Sequence, residues 1–265
     1  MIILVFIFGL IIGSFLNAVI WRLHTGRSLL GRSECTQCHK KIFWYDNIPL
    51  LSFFVLGGKC RQCHKKISWQ YPLVEFFTAI LFVLAYVQAM SYQLPVTSYQ
   101  NLLTTYNLQL VTLLRNLIFI SFLIIIFVFD FRYYYILDSV TIPAAVIAFI
   151  FNIALGMEWQ NLIFGGIIGG GIFLAQFVFS QGKWIGGGDI RLGAVMGFML
   201  GWKMILLALF LSYTVGAIIS VALVVLKYKK FSSKIPFGAF LSSATIAVLL
   251  YGEKILGWYL AIMRL

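Results

Sequence analysis

Phe122-Leu123-Ile124-Ile125-Ile126-Phe127-Val128-Phe129 runs without a polar side chain into Asp130, and Phe131-Arg132-Tyr133 follows. Such a run reads as the end of a membrane-spanning helix, and the carboxylate that closes it stands out against what precedes it. A second acid stands in similar company, where Gly186-Gly187-Gly188 leads straight into Asp189. Ionisable groups in or beside membrane spans are costly, and a functional site is the default reading of each. Two lone acids at the ends of two spans point to one shared site.

The remainder of the chain agrees with a lipid environment. Of its 265 residues 62% are hydrophobic and 11% charged, where soluble domains carry about 25% charged residues. This excludes an ordinary soluble enzyme and predicts an all-α polytopic membrane protein. A span needs about 20 predominantly apolar residues, and candidate runs fall at 1–20, 72–91, 112–129, 139–156, 161–180, 190–202, 204–226 and 236–252. That makes about eight transmembrane helices. The sixth run is short and glycine-bearing, and joined to its neighbour it would leave seven. The first run has neither a basic region before it nor a small-residue cleavage site after it, so it reads as a retained span. Gly165, Gly166, Gly169, Gly170 and Gly171 on the fifth run predict close helix packing.

Charge sets the orientation. Segment 22–70 holds Arg22, Arg27, Arg32, Lys40, Lys41, Lys59, Arg61, Lys65 and Lys66 against Glu34 and Asp46, an excess that predicts a cytoplasmic location. Residues 92–111 carry no charge, which fits the outside. Alternation then returns 130–138, 181–189 and 227–234 to the cytoplasmic surface, and both singled-out acids with them. The net charge of +12 marks cytoplasmic loops and anionic lipid rather than nucleic acid, for which no motif is present.

All four cysteines lie in the basic segment, as Cys35-Thr36-Gln37-Cys38 and Cys60-Arg61-Gln62-Cys63. Two CxxC pairs about twenty residues apart suit a tetrahedral zinc site, each pair turning two thiolates toward one ion. Two disulfides or four idle thiols are the rival readings, and a reducing cytoplasm disfavours the disulfides. Four thiolates leave no open coordination position, so the metal is expected to shape the segment and not to catalyse. His39 and His64 follow the two pairs and read as flanking or surface residues; His24 reads as interfacial.

Asp130, Asp138 and Asp189 could each cap or terminate a helix. As a pair, Asp130 and Asp189 support more. Two aspartates sharing a water can divide peptide hydrolysis, one taking a proton from the water while the other donates to the carbonyl oxygen. Carboxylates held close together share a single proton, and their titration belongs to the pair. Gly186, Gly187 and Gly188 would let an extended substrate backbone come close to Asp189.

The chain resembles the type IV prepilin peptidases, bifunctional leader peptidase/N-methyltransferases, over nearly its full length. Gly13-Ser14-Phe15-Leu16-Asn17-Ala18-Val19-Ile20-Trp21-Arg22-Leu23 is similar to the family's opening motif. The cysteine segment continues as Asp46-Asn47-Ile48-Pro49-Leu50-Leu51-Ser52-Phe53, Ile67-Ser68 and Tyr71-Pro72-Leu73-Val74-Glu75, in the family's order. Asp130 and Gly186-Gly187-Gly188-Asp189 resemble its first aspartate and its GxGD motif, and Ile235-Pro236-Phe237-Gly238 the motif before its last span. The resemblance implies a GxGD aspartic protease of the bacterial inner membrane. It would cut the leader from prepilins and pseudopilins after a glycine on the cytoplasmic side. It also implies N-methylation of the new terminus from S-adenosylmethionine, by residues the sequence does not identify. The implied division is a first helix at 1–20, a zinc-binding segment at 21–71 and a membrane peptidase domain at 72–265.

Four positions depart from the family pattern. Leu137 stands for a common proline, Thr36 for a proline inside the first CxxC, Gln70 for a frequent arginine and Arg191 for a lysine. None touches Asp130, Asp189 or a cysteine. Other readings are a different GxGD intramembrane protease, against which the cysteine segment argues, a membrane carrier, or a non-enzymatic pilus assembly factor.

Overall fold

The computed structural model describes residues 1–91, 99–228 and 235–263, with side chains in the middle stretch from residue 107 onward. Every regular element among the described residues is helical: α1 (Ile2–Thr25), α2 (Leu51–Val55), α3 (Gln70–Ser91), α4 (Tyr99–Tyr133), α5 (Asp138–Ala154), α6 (Trp159–Ser180), α7 (Gly187–Val225) and α8 (Phe237–Met263). The chain forms two compact units, Met1–Gln93 and Leu94–Leu265.

In the first unit α1 and α3 lie antiparallel, because two glycines one helical turn apart remove the side chains that would hold them apart. A Cβ on Gly9 would meet the Ala79 Cα at 2.5 Å, and one on Gly13 the Glu75 Cα at 2.6 Å. This is the small-residue spacing that membrane helices use to bring backbones together. Buried Asn17 on α1 donates to the Tyr71 carbonyl at 3.0 Å and accepts from Gln70 at 3.3 Å, which fixes the register. Helix α1 stops at Gly26, whose left-handed backbone (φ 66°) turns the chain out. Buried Arg22 then gathers the carbonyls of Leu29, Gly31 and Arg32, so the exit from α1 is a tied loop.

The second unit is built on α6 against α7. The glycines of α6 face glycines of α7: a Cβ on Gly197 would fall inside the Gly165 carbonyl, and one on Gly169 inside the Gly193 carbonyl. Helix α7 is not straight. At Gly201 the backbone takes φ 74°, ψ 173°, and the two arms run in opposite directions along α6. Along the first arm, Gly165 meets Gly197 and Gly169 meets Gly193, while along the second Gly169 faces Ile205 and Gln176 bonds Tyr213. Neighbouring helices satisfy the backbone at this corner. Asn152 on α5 donates to the Phe198 and Met199 carbonyls at 2.7 and 3.1 Å, and Asn161 on α6 accepts the Trp202 N–H at 3.0 Å. These side chains replace the bonds a reversing helix loses, which lipid could not supply.

The eight apolar runs of the sequence map onto α1, α3, α4, α5, α6, the two arms of α7, and α8. The runs 190–202 and 204–226 are joined in one element, but its arms reverse at Gly201, so the joining does not merge them into one straight run. Six helices are long and apolar enough to cross a membrane: α1, α3, α4 from Asn107, α6, α7 and α8. Helix α5 has 17 residues and is shorter.

Candidate active site and metal centre

Asp130 lies three residues before the end of α4, which stops where Tyr134 takes a left-handed backbone (φ 54°) and donates to the Asp130 carbonyl at 3.0 Å. Its carboxylate is buried, with 6% of the residue exposed, yet it is not orphaned. Oδ2 accepts the Ala239 N–H at 2.9 Å, and the Gly238 N–H also donates to it. Both donors belong to the first turn of α8, where N–H groups have no partner within the helix and the dipole favours an anion. Glycine at 238 leaves room for that approach. A Cβ there would sit 3.0 Å from the Asp130 Cγ and Oδ2.

Asp189 occupies the first turn of α7, and Oδ2 accepts the Gly186 N–H at 3.1 Å, as a capping carboxylate does. The buried side chain of Ile136, in the loop after α4, holds the two sites together. A Cβ on Gly188 would meet its Cβ at 2.9 Å, and one on Gly238 would meet its Cδ1 at 3.0 Å. Asp130 and Asp189 come near enough to interact electrostatically. Gly187 has open space around it and Gly186 faces only its own turn, whereas Gly188 is demanded by packing on Ile136. Asp138 opens α5 and pairs with Arg191 on α7, a tie between two helices beside the site.

In the first unit the four cysteines converge, and their sulfurs all lie within 4.8 Å of one another. Cys35 and Cys63 sulfurs are 3.9 Å apart, close to the separation four thiolates take around an ion at about 2.3 Å. Each pair is held by the same knuckle. The Cys35 N–H bonds the Lys40 carbonyl and the His39 N–H bonds the Cys35 carbonyl; Cys60, Lys65 and His64 repeat this at 3.0 and 2.9 Å. His39 and His64 are left-handed, at φ 56° and 54°, and exposed, so both serve the turn and stand outside the cluster. Burial pushes the Cys35 thiol up to about 11, against the Cys38 and Gln37 N–H groups. At Cys60 burial pushes the same way, but the Cys63 and Gln62 N–H groups and the thiols of Cys35 and Cys63 prevail, bringing it down to about 7. The donor set fits a metal ion such as zinc in a closed, structural site.

Residues 7–89 match the family described as "Bacterial Peptidase A24 N-terminal domain", and residues 117–221 match the "Type IV leader peptidase family". A "Prepilin leader peptidase/N-methyltransferase" of Aeromonas salmonicida (strain A449) is 32% identical, covering 97% of this chain and 93% of its own. This chain belongs to the type IV leader peptidase family. A relative of the same name from Bacillus subtilis (strain 168) is 31% identical over 97% of both chains, and one from Pseudomonas aeruginosa 29% identical over 95% of this chain and 91% of its own. No solved structure matches this chain.

Gly186-Gly187-Gly188-Asp189 is the most legible part of the candidate site, and the sequence also points to Asp130. It did not show that Gly238 and Ala239 grip Asp130, although Pro236-Phe237-Gly238 was a signal that the start of α8 is special. Ile136 carried no signal at all. The repeat Cys-x-Gln-Cys-His-Lys-Lys at 35–41 and 60–66 was legible and marks the two matching knuckles. For S-adenosylmethionine, the described residues form no βαβ unit. No residue is assigned to it.

Proposed function

We propose that Asp130 and Asp189 form the catalytic pair of a leader peptidase that cuts prepilin-like proteins. The observation that carries this reading is the convergence of two carboxylates, one from the end of α4 and one from the start of α7, around Ile136. Each accepts a hydrogen bond from backbone N–H. A water between them loses a proton to one carboxylate as its oxygen bonds to the scissile carbonyl carbon. The other carboxylate gives its proton to the carbonyl oxygen. Collapse of the tetrahedral intermediate breaks the C–N bond, and the amine leaves with a proton from the pair. Backbone aiming costs no reorganisation during the reaction and keeps each carboxylate within reach of one water.

Gly186 and Gly187 supply a side-chain-free edge beside Asp189 for an extended substrate. The cut falls after a glycine at the cytoplasmic membrane surface, with the substrate's apolar helix lying in the bilayer. Charge bias supports that sidedness, since the basic segment of the first unit is of the kind held in the cytoplasm. The names of the relatives support a second activity, transfer of a methyl group from S-adenosylmethionine to the freed N-terminal amine.

The test is mass spectrometry of a prepilin-type substrate incubated with the purified protein and S-adenosylmethionine. Leader loss by the parent protein, and none by Asp130→Asn or Asp189→Asn at equal abundance, is the expected result. Near-parental cleavage by either variant removes that acid from the mechanism. A product lacking the added methyl retains the peptidase and removes the methyltransferase.

A further inference from the structure

Helix α2 is five residues long and carries Leu51, Phe54 and Val55 at 64%, 65% and 78% exposure. Such exposure would be costly in water, and it has a tether that explains it. The residue before the helix, Leu50, donates its N–H to the buried Glu75 carboxylate at 2.8 Å. Glu75 is five residues into the membrane-candidate helix α3, about 7.5 Å along its axis. Phe53 of α2 packs on Trp69, at the head of α3, with ring centroids 4.9 Å apart. So the start of α2 is tied to the first turns of α3.

The tether is held under strain. Leu50 takes φ 59°, ψ −53°, and the Leu51 N–H closes a three-residue turn onto the Pro49 carbonyl at 2.7 Å. This is the rare sign of γ-turn, and it persists only where its surroundings over-determine it. Here Glu75 holds the Leu50 N–H, and the Ser52 and Phe54 N–H groups bond the Ile48 and Leu50 carbonyls on either side.

The charges around the helix complete the pattern. Asp46 is spent on Arg61 and Glu34 on Arg27, while Lys59, four residues after α2, and Lys65 and Lys66 are exposed. Trp44 and Trp69 are exposed at 75% and 62% beside them. Apolar side chains tied to the start of a span, with tryptophans and lysines near them in the chain, are the composition of the boundary between acyl chains and headgroups.

We propose that α2 is an interfacial anchor seated in an anionic lipid surface. Leu51, Phe54 and Val55 enter the acyl boundary, and the neighbouring lysines meet phosphate headgroups. The bilayer is the occupant because the start of α2 is tied to the first turns of a membrane-candidate helix, and because the unpaired charge of the segment is positive. Glu75, through Leu50, holds α2 there.

The probe is a tryptophan placed at Phe54→Trp, and separately at Val55→Trp, in the full-length protein. The protein is reconstituted into vesicles containing phosphatidylglycerol brominated in the upper acyl chain. Zinc content checks that each variant folds. The fluorescence that each reporter adds over the parent's seven tryptophans should be quenched by the brominated lipid. That quenching should weaken in neutral phosphatidylcholine, and Glu75→Gln should reduce it. A reporter untouched by brominated lipid and open to acrylamide places α2 in water and overturns the proposal. Shielding from both quenchers that depends on added prepilin makes the surface a protein-docking site, and overturns it equally.

Discussion

The two units solve the same problem, placing a few polar groups beside a membrane, by opposite means. In the first, the cysteine cluster is held by short-range knuckles, each closed within six residues of chain, and the cluster is the core of a segment with almost no buried apolar side chains. In the second, the aspartates hang from long helices whose glycines let backbones touch; Asp189 is capped within its own turn, but Asp130 is held by N–H groups of a distant helix. A site of the first kind depends on its ligands. One of the second kind depends on packing far from its chemistry, and that difference can be tested.

The largest effect is expected from Gly197→Val. Its side chain would enter the Gly165 carbonyl, and with backbone on both sides the overpacking should cost about 3 kcal/mol or more. Cleavage should vanish and the thermal transition of the second unit fall, while zinc stoichiometry, measured by metal analysis, stays at the parental value. Loss of zinc in the same variant would mean that the two units do not behave independently.

Cys60→Ser, or a strong chelator, should do the reverse. Zinc content should fall to background and the 26–69 segment become protease-sensitive, because the ion's binding energy is the folding energy of so small a segment. The thermal transition of the second unit should hold.

Gly238→Ala comes next. The added methyl displaces the Asp130 carboxylate by a few tenths of an ångström, against donors that fix it at 2.9 Å. Cleavage should drop about 10- to 100-fold at little cost in stability, since small misplacements of a catalytic group have effects of that order. Parallel kinetics and melting curves separate the two readouts.

Asn152→Ala removes two bonds at the Gly201 corner and leaves the carbonyls of Phe198 and Met199 without that donor in apolar surroundings. About 1–3 kcal/mol of destabilisation is expected, visible as a lower melting temperature. The smallest effect belongs to Asp138→Asn. Its pair with Arg191 is 49% and 40% exposed, and such pairs contribute about 0–1 kcal/mol. Cleavage should stay within a few-fold of the parent, and a loss as deep as that of Asp130→Asn would make Asp138 part of the chemistry.

Much of this was legible along the chain. The cysteines could be read because a CxxC turn is a local structure and its ligands are its own residues. Membrane character could be read because twenty apolar residues in a row is itself the requirement for crossing lipid. Asp130 and Asp189 could be singled out because a carboxylate in such company has few structural uses.

The sequence by itself determined the membrane class, the helical runs, the four sulfurs and the two acids. It did so because each depends on composition or on spacing within a few residues. Tertiary structure alone decided that Ala239, 109 residues away, aims Asp130, and that Ile136 holds the starts of α7 and α8 together. It also decided that α7 reverses at Gly201, where Asn152 and Asn161 from two other helices take up the broken backbone bonds. Helical periodicity carries no information on these pairings. They follow from which glycines let which backbones meet, and that is settled only when the helices pack.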